Sequence, residues 1–289
     1  MNIKTIFVLS LFCSAVCLPV SAGMPVDYVP AHEERIEIWP KGAPNSNGRI
    51  VTAEDSLEWN VVSNPVLHLF KSDNPSGKVV LMLPGGGYRH LGVQNEGYSF
   101  VDWYNGQGID VAVLQYRMPY GHPDVPLSDV HRSMRILRER FPESLVGVQG
   151  FSAGGHLAST AATHYTDHVT RPDFQILFYP VIKVIGPDAH HGSRDRMVGE
   201  NASEDMLALY DNHRQVSPDT PKAFIVHSAD DSIVPVSNSL DYFSSLRDNG
   251  VEASLHIYPK GDHGWGFYDG FVYKPEWTAE LAKWISLLK

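Results

Sequence analysis

The chain has 289 residues, of which 43% are apolar and 19% charged, with 23 Lys and Arg set against 33 Asp and Glu. That length and balance suit one large globular domain or two small ones. The formal charge of −10 speaks against nucleic acid as a partner and against docking on anionic lipid, since both call for basic patches; neutral substrates such as sugars and esters stay open.

Residues 1–22 carry Lys4, an apolar run from about Thr5 to Leu18, and small residues at Ser21 and Ala22. They read as a secretory signal peptide cut near Ala22. The run is shorter than the roughly 20 apolar residues that a membrane span needs. Lipid attachment at Cys17 is disfavoured by the bulk of Val16 before it. The expectation is an exported protein, periplasmic or secreted, with no membrane anchor after cleavage. Cys13 and Cys17 both lie in that segment, so the remainder has no disulfide, thiolate metal site or cysteine nucleophile.

Residues 23–289 read as a single domain with no linker and no internal repeat. A turn-rich lead-in to about Asn60 holds one strand-like stretch, "IEIW" at 36–39. "VLHLF" at 66–70 alternates like a half-buried strand, and "VVLMLP" at 79–84 is continuously apolar, as in a strand buried on both faces. A helix over 97–108 ends at Gly106 and Gly108; "IDVAVLQY" at 109–116 is the next strand. The helix over 127–140 is amphipathic, with Leu127, Val130, Met134 and Leu137 on one side. "LVGVQG" at 145–150 is again a strand, and 154–165 a helix. "FQILFYP" at 174–180 precedes about forty residues of mixed character, 182–220, read as an insertion able to cap a site. Strand, helix, strand and helix then follow at "KAFIVHS", 238–250, "ASLHIYP" and 275–288. This alternation predicts an α/β fold: a mostly parallel central sheet with helices on both faces. In such sheets ligands bind beyond the carboxyl ends of the strands, so the loops there should carry the chemistry.

Four of those loops stand out. Gly150-Phe151-Ser152-Ala153-Gly154 has the form G-x-S-x-G. The pattern alone is weak, and a glycine turn with a capping serine is the plain alternative. Its setting between a strand and a small-residue helix start is more specific. There it makes a sharp elbow that exposes a serine oxygen above the sheet. Further on, Asp230 and Asp231 follow one strand and His263 follows the next, which completes the order serine, acid, histidine. His263 would accept the proton of Ser152 and later pass it to the leaving group, with Asp231 fixing its tautomer. Asp230 is the rival acid, and His156, one helical turn past the serine, is the rival base. Acyl transfer also needs preset N–H donors for an oxyanion. The loop Gly85-Gly86-Gly87-Tyr88 and the amide of Ala153 are the candidates. A phosphate cradle is the other reading of that glycine run, but it lacks G-x-G-x-x-G spacing and a G-K-[S/T] ending.

Other features are less specific. His164 and His168 have i, i+4 spacing but lack the glutamate of H-E-x-x-H, so an exposed polar face is the simpler reading and no metal is expected. His190 and His191 lie in the insertion. Tyr88, Trp103 and Trp265 could offer sugar-stacking surfaces or could be core. Asn201-Ala202-Ser203 is a glycosylation sequon. Nothing in the sequence bears on oligomeric state.

With these motifs in view, the stretch from about Lys78 onward resembles the exported bacterial α/β-hydrolases that act as carbohydrate esterases. It is most similar to the acetyl xylan esterase and feruloyl-esterase-like group. "LPGGGY", "LQYRMP", "GFSAGGHLA", "HSADDSIVPVSNSL" and "YPKGDHGWG" carry the likeness. The resemblance implies the α/β-hydrolase fold and a cofactor-free serine esterase acting on an acylated carbohydrate, chiefly by removing acetyl from xylan or its fragments. Feruloyl esterase, short-chain carboxylesterase, lipase and peptidase activities remain alternatives, as does a carbohydrate-binding protein without catalysis. In the family the acid precedes two variable residues and Val-Pro, which favours Asp231 over Asp230. The same likeness points to Gly86 and Gly87 as the N–H donors. Related lipase-like esterases have histidine where this chain has Pro84, so no role for that side chain carries over.

Overall fold

A computed structural model describes residues 30–49 and 62–289; the signal-peptide reading of 1–22 lies outside the described residues. Eight strands form one sheet in the order β1-β2-β4-β3-β5-β6-β7-β8. They are β1 (Glu34–Glu37), β2 (Val66–Phe70), β3 (Lys78–Leu83), β4 (Ile109–Gln115), β5 (Leu145–Phe151), β6 (Phe174–Phe178), β7 (Lys222–Ser228) and β8 (Ala253–Tyr258). β2 runs antiparallel to both β1 and β4, and the remaining pairs are parallel. The helices are α1 (Val101–Asn105), α2 (Asp124–Arg140), α3 (Ser152–Thr163), α4 (His191–Val198), α5 (Glu204–Leu209), α6 (Ser237–Asp248) and α7 (Lys274–Ser286).

Consecutive residues of β3, β5 and β6 are buried. Because successive side chains point to opposite faces, both faces of the central sheet are covered by helices and loops. β2 departs from the alternation expected of it: all five residues are buried, His68 included. Its neighbours β1 and β4 flank it on either side, so it is an inner strand. β1 begins two residues before the predicted "IEIW", where its register against β2 pairs Glu34 with Leu69 and Glu37 with Val66. α2 begins at Asp124 rather than Leu127, with Pro126 in its first turn, where a missing N–H costs nothing.

The topology positions the site. After β3 the chain crosses to one side to make β4, and β5 then lies on the other side of β3. The crevice beyond the carboxyl ends of such a switch point is where α/β sheets bind ligands. Leu83 of β3 pairs with Gly150 of β5, so the loops that follow the two strands emerge side by side. Beneath them an aromatic cluster of Phe100, Phe151, Phe178, Trp265 and Trp277 fills the core, with Phe151 and Phe178 at 5.0 Å. The segment 182–220 folds into α4, α5 and a 3₁₀ turn at Asn212–Arg214. It is pinned to the body: the Asn212 amide donates to the His156 carbonyl and the Ser159 hydroxyl at 3.0 and 2.7 Å, and Asn238 accepts from the amides of Ile182 and Lys183.

Candidate active site

At the end of β5 the chain changes direction within one residue. Phe151 is extended (φ −126°, ψ 132°), Ser152 has φ +51°, and α3 starts at that serine rather than at Gly154 as the sequence suggested. A non-glycine residue at such a φ is uncommon and costs about 1–3 kcal/mol, so the surroundings must enforce it. They do so by crowding. A Cβ on Gly150 would lie 2.2 Å from the Gly154 carbonyl oxygen, and one on Gly154 would lie 2.0 Å from that of Leu83. The elbow is thus pressed against β3, and only glycine fits on either side of Ser152.

The His263 loop meets the serine from above. The Ser152 hydroxyl donates to His263 Nε2 at 2.8 Å, and His263 Nδ1–H donates to Asp231 Oδ2 at 2.7 Å. A carboxylate at Nδ1 fixes the proton there and leaves Nε2 as the acceptor that a general base must present. Asp231 Oδ1 accepts from the amides of Ile233 and Val234 at 2.9 and 2.8 Å. Burial pushes this carboxyl up, but the bonds from His227, His263 and Val234 outweigh it and hold it well below the usual carboxylate range. Asp230 is exposed and does different work: it accepts from the Asp262 amide at 2.9 Å. Asp262 in turn accepts from the amide and hydroxyl of Ser232 at 2.9 and 2.8 Å. The two adjacent aspartates therefore divide the work, one facing the imidazole and the other lacing its loop to the loop of the acid.

The glycine loop borders the same cleft of about 340 Å³, which Gly86, Gly87, Glu96, Ser152, His190 and His263 line. Gly85 donates its amide to Glu96 Oε2 at 2.7 Å and so is already engaged. Among the described residues the amides of Gly86 and Gly87 have no backbone acceptor, and Ala153, in the first turn of α3, has none within the helix. Gly86 needs its φ of +128°, where a Cβ would sit 2.2 Å from the His90 carbonyl oxygen. Three amides with spare donors next to the Ser152 hydroxyl, which lines the cleft, suit an oxyanion.

The rival base and the stacking aromatics can now be placed, and the role expected of Tyr88 and Trp265 is corrected. His156 is 1% exposed; its Nε2–H donates to the Tyr210 carbonyl at 2.8 Å and its Nδ1 accepts from the Tyr88 hydroxyl at 3.0 Å. Both ring nitrogens are committed away from Ser152, so it is no base. Tyr88 and Trp265 do not offer sugar-stacking surfaces, for they are 2% and 5% exposed. Trp265 lies flat against Phe271 at 4.1 Å and donates Nε1–H to Ser228, so it is core. Trp103 packs on Tyr104, Phe267 and Trp277. His164 donates to the Leu209 carbonyl at 2.9 Å, and among the described residues no cluster of metal-ligating side chains forms.

Three residues at the site escaped the sequence reading. His227 is buried beside Asp231, where its Nε2–H reaches Oδ2 at 3.1 Å and its Nδ1 accepts from Ser239 at 2.7 Å. A histidine closing the apolar run "AFIV" at 223–226 was its only signal. Glu96 and Tyr179 are joined at 2.8 Å; neither lies in a recognisable motif.

Against known proteins, residues 123–287 match the prolyl oligopeptidase family. An acetylxylan esterase of Xylanibacter ruminicola is 40% identical over 226 residues, which cover 75% of this chain and 47% of that protein. An endo-1,4-beta-xylanase B of Butyrivibrio fibrisolvens is 30% identical over 212 residues, covering 67% of this chain and 33% of that one. The chain thus spans about half or less of the length of these curated relatives. Among solved structures, an acetyl ester-xyloside bifunctional hydrolase from Caldicellulosiruptor lactoaceticus superposes with a TM-score of 0.74 at 36% identity, covering 88% of this chain and 95% of that one.

Proposed function

This chain belongs to the prolyl oligopeptidase family of α/β-hydrolases, and from that footing we propose that it is a serine esterase removing acyl groups, chiefly acetyl, from xylan or oligosaccharides derived from it. The observation that carries the reading is His263 hydrogen-bonded between Ser152 and Asp231, at 2.8 and 2.7 Å. Similarity to proteins named for acetylxylan esterase and acetyl ester hydrolase activity supports the substrate class. The leader-like residues 1–22 support an exported enzyme that would meet such polymers outside the cell.

His263 removes the Ser152 proton as Oγ attacks the ester carbonyl. The amides of Gly86, Gly87 and Ala153 receive the developing oxyanion. The imidazolium, steadied by Asp231, returns the proton to the sugar oxygen as the carbon–oxygen bond breaks, leaving an acyl-Ser152. Water, deprotonated by the same histidine, then releases the acid. Ser152→Ala is expected to abolish release of acetate from acetylated xylan and of nitrophenol from nitrophenyl acetate; retained activity would overturn the assignment. The same preparation given feruloylated oligosaccharides and peptide anilides separates an acetyl esterase from a feruloyl esterase and from a peptidase.

A further inference from the structure

A buried carboxyl ties together three loops at the rim of the cleft. Glu96, 7% exposed, accepts the Gly85 amide at 2.7 Å on Oε2 and the Tyr179 hydroxyl at 2.8 Å on Oε1. The Tyr179 oxygen accepts the Gly266 amide at 2.9 Å. Gly85 follows β3, Tyr179 follows β6, and Gly266 closes the loop that carries His263. The bond directions are fixed. Both amides can only donate, and a tyrosine oxygen that accepts from Gly266 keeps its own hydrogen for Glu96. The neighbouring residue repeats the connection: Asn95 Nδ2–H donates to the Gly264 carbonyl at 3.0 Å, and its own carbonyl accepts from the Phe267 amide at 3.1 Å.

A strained residue and a close approach show that the link is built in rather than incidental. Tyr179 has φ +36°, a conformation that persists only where its surroundings over-determine it, and its ring meets His263 edge-on at 4.8 Å. A Cβ on Gly85 would come within 2.7 Å of Glu96 Oε2, so only glycine lets the carboxyl reach that amide. Burial pushes the Glu96 carboxyl above the usual carboxylate range, and the bonds from Tyr179 and Gly85 offset only part of that rise.

We propose that Glu96 and Tyr179 are positioning residues that set the spacing between the Gly85–Gly87 loop and the His263 loop, so that the oxyanion donors and the imidazole converge on one tetrahedral intermediate. Neither loop is a regular element, so their separation has to come from cross-links. The need for it is steep: a misplacement of about 1 Å can cost on the order of 100-fold in rate. The proposal rests on the serine-hydrolase reading of the site.

The test compares Glu96→Gln, Tyr179→Phe and the double variant by the rate at which a fluorophosphonate labels Ser152 and by kcat and KM on nitrophenyl acetate. Thermal melting midpoints establish that each variant is folded. Each single change is expected to slow labelling and lower kcat by about 10- to 100-fold with KM within about twofold, because the loss falls on the transition state. The double variant should be no worse than the worse single one, since both changes break one chain of bonds. Labelling within twofold of wild type, a rise in KM with kcat unchanged, or losses that multiply in the double variant would each overturn the proposal. Should Glu96→Gln fail to fold, Tyr179→Phe, which deletes one oxygen, decides alone. Wild-type protein that is labelled but hydrolyses no acetate ester would fault the esterase reading only, and the labelling rates would still judge the link; wild type that is not labelled would overturn both.

Discussion

Asp231 collects donors on both oxygens: His263 and His227 on Oδ2, and the amides of Ile233 and Val234 on Oδ1. Replacing it with Asn keeps an oxygen for the two amides but turns an N–H toward the N–H of His263. The imidazole then favours the other tautomer and presents a proton, not a lone pair, to Ser152. Asp231→Asn is therefore expected to lower kcat by roughly 10⁴-fold with little change in KM. Steady-state kinetics on nitrophenyl acetate check it, and a variant keeping a tenth of wild-type turnover would show that the carboxylate is not what orients the base. Residue types and spacing alone made Ser152 and His263 legible, while Asp231 over Asp230 leaned in part on the family's Val-Pro. His227 and Glu96 were not legible, because a buried histidine and a loop glutamate acquire meaning only from what folds against them. Tyr88 and Trp265 failed for the converse reason: an aromatic residue next to a motif looks the same in sequence whether its face is wet or buried.

At the scale of the element, the elbow depends on how closely α3 approaches β3. Gly154→Ala would put a methyl carbon 2.0 Å from the Leu83 carbonyl oxygen and 2.5 Å from that of Pro84. Backbone oxygens of an inner strand cannot rotate aside, so α3 must lift and carry Ser152 with it. Overpacking usually costs about 1–3 kcal/mol, and a contact this short belongs at the upper end. Urea denaturation should show a loss of about 3 kcal/mol or failure to fold, and surviving protein should lose activity beyond its loss of stability; an active variant of wild-type stability would mean that the helix is free to move. Strands such as β3, β4 and β6 were legible because strands buried on both faces are continuously apolar. The start of α3 was not, because a helix beginning on a residue with positive φ violates the usual start signals. The order of 182–220 was hidden too, since it depends on distant partners such as Asn238 and on the contacts of Asn212 with α3.

Across the whole molecule, parallel pairing brings together a serine and a histidine 111 residues apart in sequence. The loops after β5, β7 and β8 meet because those strands follow one another in the sheet, separated only by β6. The same compactness buries many histidines wholly or in part. His68, His131, His156, His164, His190, His213 and His256 are all shifted down, in each case first by burial. His156, joined on one side to Tyr88 of the glycine loop and on the other to Tyr210 of the 182–220 segment, is lowered to about 4. The unfolded chain binds a proton there below about pH 6.5, whereas the folded chain resists it until about pH 4. Stability is therefore whole above that window, falls as pH drops through it and levels off below. At 1.36 kcal/mol per pKa unit, His156 alone accounts for about 3 kcal/mol, a large share of the 5–15 kcal/mol typical of a domain. Urea midpoints should fall steeply between pH 7 and pH 4.5, and His156→Gln should flatten that slope while lowering the midpoint at pH 7. A slope unchanged in the variant would assign the acid sensitivity to other groups. A flat wild-type profile would mean that the buried imidazoles accept protons after all, and that the tie between the glycine loop and the insertion is looser than its hydrogen bonds imply.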